Sequence, residues 1–408
     1  MTSEFNPEAL LKERPVADLA RLRTRSAIAG VIGLVLMAVG LMTSGASMFF
    51  QSYLIAFVFL MGITLGSMAL LMVQYLSGGA WGMVSRRVFE ASSRTLPLML
   101  VLFIPIALTA LPSLNLPVLY EWMRPEAMSD PVIATKAAYL NKGFFLIRAV
   151  LFFAIWGTLI MFLNRWSKEQ DDTAPRLPGP KDGRLRVLSG PGLVLYMITL
   201  TFMSVDWIMS LQPRFYSTIF GILMLGGQGL STMAFTILAL GVLAKYRPLS
   251  EVVEKDHFHD LGKLLLAFVM LWAYFSVSQL IIIWSGNLPE EIPWYIMRLH
   301  GTWAPIAVVV LLGHFTLPFL LLLSRDLKRH PGLLTKLAIF VLVMRVVDLI
   351  WTIAPVFRTT TTIHWLDFAS VLGLGGIWLA VFFTNVGARA LVPAHDPYFK
   401  EALAHGGH

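Results

Sequence analysis

The sequence predicts an all-α polytopic membrane protein of about ten transmembrane helices, on three observations. Its 408 residues are 57% hydrophobic and only 14% charged, with a mean hydropathy of +0.71, which is too little polar surface to coat a water-soluble globule. Ten runs of roughly 18 or more residues carry few or no charges. The basic residues cluster in every second connection, the pattern left when successive loops lie on opposite sides of a bilayer.

The apolar runs lie near 26–43, 48–76, 95–112, 143–164, 190–211, 217–244, 261–285, 300–324, 333–356 and 365–386. They leave an amino tail at 1–25, a carboxyl tail at 387–408 and connections too short for a soluble domain, so 26–386 reads as one transmembrane domain. The first run is long for a signal peptide and follows Glu4, Glu8, Glu13 and Asp18 among five basic residues, which predicts a retained helix. Of the 32 Lys and Arg, 24 fall on the side of the amino tail and six on the other, leaving Arg148 and Arg345 inside spans. That asymmetry predicts a bacterial inner-membrane protein with both termini in the cytoplasm. The net charge of +8 then reports loops beside anionic lipid and not a nucleic-acid partner. The absence of cysteine excludes disulfides, cysteine-ligated iron-sulfur clusters, covalent c-type haem and thiolate zinc sites in this chain.

An internal repeat organises the spans. Residues 205–218 read V-D-W-I-M-S-L-Q-P-R-F-Y-S-T and residues 347–360 read V-D-L-I-W-T-I-A-P-V-F-R-T-T. The shared pattern places Asp206 level with Asp348 on the fifth and ninth spans, four spans apart. A parallel duplication of four-helix units follows, spans 2–5 and 6–9, with the first and last helices peripheral.

Charges at membrane depth cost roughly 3 kcal/mol each, so every one needs a partner or a wet cavity and is a functional candidate. Arg148, Asp206, Asp348, Asp367 and Gln279 fall within about 12 Å of the outer boundary at a rise of about 1.5 Å per residue. Arg345 and Asp348, three apart, can pair on one helix face. Two arginines against three aspartates predict one uncompensated carboxylate, which a proton could neutralise; the competing role is a set of salt bridges fixing the bundle. His314 near the middle of span 8 is a candidate relay or a hydrogen-bonded packing residue. On the inner side His259, Asp260 and Lys263, with His257, are a candidate entry funnel or a solvated helix start. Glycines of G-G-Q-G at 226–229 allow close helix approach, and Gln228 can bond a neighbour or a quinone carbonyl. The outer loop at 113–142, with Tyr120 and Trp122, and the aromatic segment at 285–295 are candidate docking surfaces or an interfacial aromatic belt. Paired histidines at membrane depth, a phosphate-binding loop and an H-E-x-x-H site are all missing, so neither haem, ATP hydrolysis nor a catalytic metal is expected.

The stretches N-K-G-F-F-L-I-R at 141–148, S-V-D-W-I-M-S-L-Q-P-R-F-Y-S-T at 204–218, S-G-N-L-P-E-E-I-P-W-Y at 285–295 and R-V-V-D-L-I-W at 345–351 resemble the NrfD/PsrC-like membrane subunits. The likeness covers essentially the whole chain and is closest to the second such subunit of bacterial alternative complex III. It implies a place in a respiratory quinol:electron-acceptor oxidoreductase, passing electrons to a cytochrome c or directly to a terminal oxidase. Implied partners are a paralogous NrfD-like subunit, a periplasmic iron-sulfur subunit and multihaem cytochrome c subunits, which carry the haem c and the clusters. The paralogue is then the better candidate for quinol oxidation, and this chain, bearing no cofactor and no mapped quinone site, conducts or couples protons. The alternatives are a stand-alone secondary transporter and a purely structural membrane anchor.

Overall fold

The computed structural model describes residues 16–111, 116–172, 183–359, 363–393 and 396, all helix, turn or irregular chain with no strand among them. Among the described residues nine helical stretches are long and apolar enough to cross a membrane, and the first is two helices in one. Val16–Ser77 has 62 residues, about 93 Å if straight against about 30 Å of hydrocarbon. It breaks at Gly45, whose φ of 82° and ψ of 163° suit glycine alone. Residues 16–44 form α1 and 46–77 form α2. The last helix, α10 (Trp365–Gly387), settles their directions. Gly33 and Gly30 of α1 meet Gly373 and Gly376 in descending order, whereas Ser52 and Thr64 of α2 meet Asp367 and Trp378 in ascending order. The two halves therefore run antiparallel, as a hairpin folded at Gly45, and the ten predicted spans are present.

The remaining spans are α3 (Leu96–Leu108), α4 (Lys142–Asp172), α5 (Gly183–Trp207), α6 (Phe220–Leu243), α7 (Lys255–Gly286), α8 (Gly301–Leu323) and α9 (Pro331–Val356). They pack as two closed quartets. In the first, α2 touches α3, α3 touches α4, α4 touches α5 and α5 returns to α2; in the second, α6, α7, α8 and α9 close the same way. The quartets meet along α2 and α6, where Gly62 and Gly66 let Gln228 and Thr232 approach the α2 backbone. Both α1 and α10 lie outside the two rings. The repeat extends to hydrogen bonding: Ser210 and Thr352, at matching positions, each donate to the carbonyl of their own aspartate, Asp206 and Asp348.

Four features depart from the sequence reading. The connection at 77–94 holds a buried helix, Ala80–Ser93, because Arg86 and Arg87 pair with Glu90 one turn on and so cancel each other's burial cost. Span 5 ends at Trp207 and finishes in a 3₁₀ turn, Met209–Leu211. Span 8 carries a π-helical turn, Leu311–Thr316, between its α-helical ends. Tyr120 and Trp122, candidates for docking, are buried: Tyr120 donates to the carbonyl of Trp207, and both rings pack on Phe145. The tails at 1–15 and beyond Asp396, and Pro112–Asn115 of the outer loop, lie outside the described residues.

Contact between α1 and α10 depends on hydrogen in place of side chains, since a Cβ on Gly33 would overlap the Gly373 backbone. Gly33→Ala should cost about 1–3 kcal/mol and lower the thermal midpoint in detergent. Gly157→Ala, whose new Cβ would meet nothing nearer than 4.0 Å, should be neutral or slightly stabilising in the same melt.

Candidate functional site

Each quartet holds one buried aspartate and one buried arginine, arranged differently. In the first, Arg148 on α4 grips Asp206 on α5 through two hydrogen bonds, Nε to Oδ2 at 2.7 Å and Nη2 to Oδ1 at 3.0 Å. Its third nitrogen reaches the Tyr139 carbonyl at 3.0 Å, and the Tyr139 ring lies 3.9 Å beneath the guanidinium. This bidentate pair ties two helices together and leaves little freedom to either group. Below it Phe57, Phe103, Phe153, Trp156 and Trp207 fill the core with stacked and edge-on rings.

In the second quartet the pair sits on one helix. Arg345 donates to Asp348 three residues on, and both are buried. The position matching Arg345 in the first quartet is Met203, so the compensating cation has moved from the neighbouring helix to the aspartate's own. A Cβ on Gly227 would overlap the Arg345 guanidinium, so the glycine of G-G-Q-G supplies the room for it. Its neighbours Gly226 and Gly229 seat Phe275 and Phe268, and Gln228 accepts a hydrogen bond from Tyr196 at 2.9 Å. Facing Asp348 across the ring is His314, fully buried on the π-helical turn, with Nε2 4.0 Å from Asp348 Oδ2. Neither of its ring nitrogens has a hydrogen-bond partner among the described residues, and its ring meets Trp272 edge-on at 4.6 Å. Gln279, two turns outward from Trp272 on α7, is also fully buried with both amide atoms unpartnered. Such atoms are costly in hydrocarbon and point to water or a proton as their ligand. Between the quartets, Arg345 and Leu349 of α9, Met203 of α5 with Ile208 just beyond its end, and Gln228 and Ser231 of α6 line a cavity of about 10 Å³, room for about one water.

Two expectations change. Asp206 and Asp348 share no partner, so the structure holds two separate pairs and not one joint cluster. The uncompensated carboxylate does not exist either. Asp367, at the start of α10, takes two bonds of 2.8 Å from Arg358, with Ser52 Oγ at 2.6 Å and the His364 amide at 2.9 Å. Arg358, one of the six basic residues on the outer side by sequence, folds inward to 4% exposure and makes three arginines for three aspartates. Asp367 thus belongs to the junction of α2, α9 and α10. At the other end, Lys263 pairs with Asp260 at 3.0 Å on the surface beside His259, an ordinary solvated helix start.

Two groups escaped the sequence reading. On the side carrying residue 16, hereafter the basic side, Arg86, Arg87, Glu90, Asp171, Arg389 and Asp396 form a buried ion network joining helix 80–93, the end of α4 and the carboxyl tail. The R-R-V-F-E spacing at 86–90 was its signal. On the opposite side Arg298, in the helix Ile292–Leu299, is 1% exposed. No acid pairs with it among the described residues; it donates to the carbonyls of Trp294 at 2.8 Å and Thr352 at 2.6 Å and stacks on Trp294 at 3.9 Å. It therefore stands one turn outward from Asp348, and burial pushes its guanidinium down to about 9.

Comparison with known proteins finds no family model that matches this chain and no matching curated protein.

A cation with a lowered pKa penalises the fold in full below about pH 9, and the penalty is relieved as pH rises above that. Wild type should therefore gain about 1 kcal/mol on Arg298→Met between pH 9 and pH 10. Thermal melts of both proteins across that range check this; the gap should stay flat from about pH 7 to pH 8.

Proposed function

We propose that this chain is a proton-handling membrane subunit of a respiratory quinol:electron-acceptor oxidoreductase, of the NrfD/PsrC-like kind found in alternative complex III. One observation carries the reading: His314, on a π-helical turn with both ring nitrogens unpartnered, lies 4.0 Å from Asp348. A π-turn inside a spanning helix widens the backbone and is a frequent feature of functional sites. The four motif stretches and the two quartets support the family; the basic-residue asymmetry supports a bacterial inner membrane with both termini in the cytoplasm.

In this reading Asp348 is the proton acceptor and Arg345 its counter-charge. A proton arriving at an Asp348 carboxylate oxygen cancels the charge that holds Arg345 and loosens the guanidinium toward the cavity it lines. His314 Nε2, a rotamer change or one bridging water away, takes the proton next and releases it along α7 toward Gln279. Only protons move; electrons stay on the haems and iron-sulfur clusters of the partner subunits, and quinol oxidation belongs to the paralogous subunit. The Asp206–Arg148 pair holds the first quartet rigid while this happens, because breaking a bidentate buried pair leaves a bare charge in hydrocarbon at a cost of about 3–5 kcal/mol.

Purification separates this reading from a stand-alone transporter, since the complex should carry haem absorbance and further subunits and a transporter should come out alone. In reconstituted vesicles Asp348→Asn and His314→Phe should each cut proton pumping about tenfold or more while quinol oxidation stays within about twofold of wild type. A purely structural role predicts unchanged pumping in both variants. Asp206→Asn should act differently, lowering the thermal midpoint and the yield of assembled complex, as blue-native gels would show.

A further inference from the structure

We propose that the groove between α1 and α10 binds one acyl chain of an anionic phospholipid, with the phosphate seated on Arg23. The groove encloses about 510 Å³ on the outside of the bundle and is lined by Arg23, Thr24, Ala27 and Val31 of α1 with Ala380 and Thr384 of α10. It follows from how the helices touch. Gly30 and Gly33 bring α1 against Gly373 and Gly376, and toward the basic side Ala27, Ala380 and Thr384 are too small to close the gap.

Length, charge and the fate of the small residues select the occupant. From Arg23 to Ile32 the lining spans nine residues, about 13.5 Å along the helix, close to the depth of about 15 Å that one leaflet of hydrocarbon offers. Charge stands only at the end on the basic side: Arg23 is exposed and has no ion pair among the described residues, and every other lining residue is uncharged. A trough that is apolar along one leaflet and cationic at its mouth matches a single lipid tail below a phosphate. A zwitterionic headgroup would bring its own cation against Arg23, so a net-negative headgroup fits better. A partner's transmembrane helix fits less well, because helix pairs in lipid use small residues at close approach and the glycines of both helices are already spent on each other.

The test is native mass spectrometry of the full chain in detergent with added phosphatidylglycerol or phosphatidylcholine of identical tails. Wild type should retain phosphatidylglycerol preferentially, Arg23→Gln should weaken that preference about fivefold, the worth of one basic residue near anionic lipid, and Ala27→Trp should reduce retention of both lipids by filling the trough. Equal retention of the two lipids by wild type, or a preference unchanged in Arg23→Gln, would leave only an unspecific lipid annulus and overturn the proposal. So would a photo-crosslinker at position 27 that labels a polypeptide in native membranes. Arg23 is exposed and its replacement leaves packing untouched, so the arginine variant decides even where Ala27→Trp fails to fold.

Discussion

Hydrocarbon tolerates a buried carboxylate only beside a cation, and three arginine–aspartate pairs answer that constraint in three ways. Arg148 and Asp206 join neighbouring helices through two parallel bonds. Arg358 and Asp367 close the turn from α9 into α10 and take Ser52 of α2 into the same knot. Arg345 and Asp348 lie on one helix. The difference matters because neutralising either of the first two pairs would release one element from another. Neutralising the third would change charge within α9 and leave the packing of its ring intact. The pair best able to titrate without unfolding the bundle is therefore the intrahelical one, and it is also the pair with a histidine beside it.

The duplication makes that contrast visible. Ser210 and Thr352 repeat one hydroxyl bond to the carbonyl of the motif aspartate, so the two outer ends share a backbone plan. Above this shared plan the cores diverge. The first quartet is packed with aromatic rings around Trp207, whereas the matching residue in the second is Leu349, which borders the cavity with Arg345. One unit has become a dense support, and its copy holds an unpartnered imidazole and an unpartnered amide.

Much of this was legible in the sequence. Apolar run length and the alternation of basic residues fix the ten spans because the bilayer imposes both. The V-D-x-I segment fixes the quartets because residues at equal depth in a duplicated fold keep equal spacing. What stayed hidden depends on side-chain direction. Arg358 lies in a loop by sequence and in the core by structure, and nothing in its neighbours shows which way its long side chain turns. Tyr120 and Trp122 look like an interfacial belt but face inward. The π-helical turn at 311–316 leaves no compositional mark, because one extra residue per turn alters phase and not hydrophobicity.

The π-turn and Gly227 act on the same volume from opposite sides. An α-helical register at 311–316 would rotate everything beyond it by about 100° and carry His314 off the face that meets Asp348. A side chain at 227 would push Arg345 out of the space it occupies beside α6. Each feature is unfavourable alone: the π-turn forfeits regular helical bonding, and a glycine within a helix costs about 1 kcal/mol relative to alanine. Both costs become intelligible together, since they hold an imidazole, a carboxylate and a guanidinium within reach of one another while leaving the guanidinium somewhere to go. A bundle needing only rigidity would be better served by the arrangement in its other half, where the arginine is clamped at two points and aromatic rings take the remaining space.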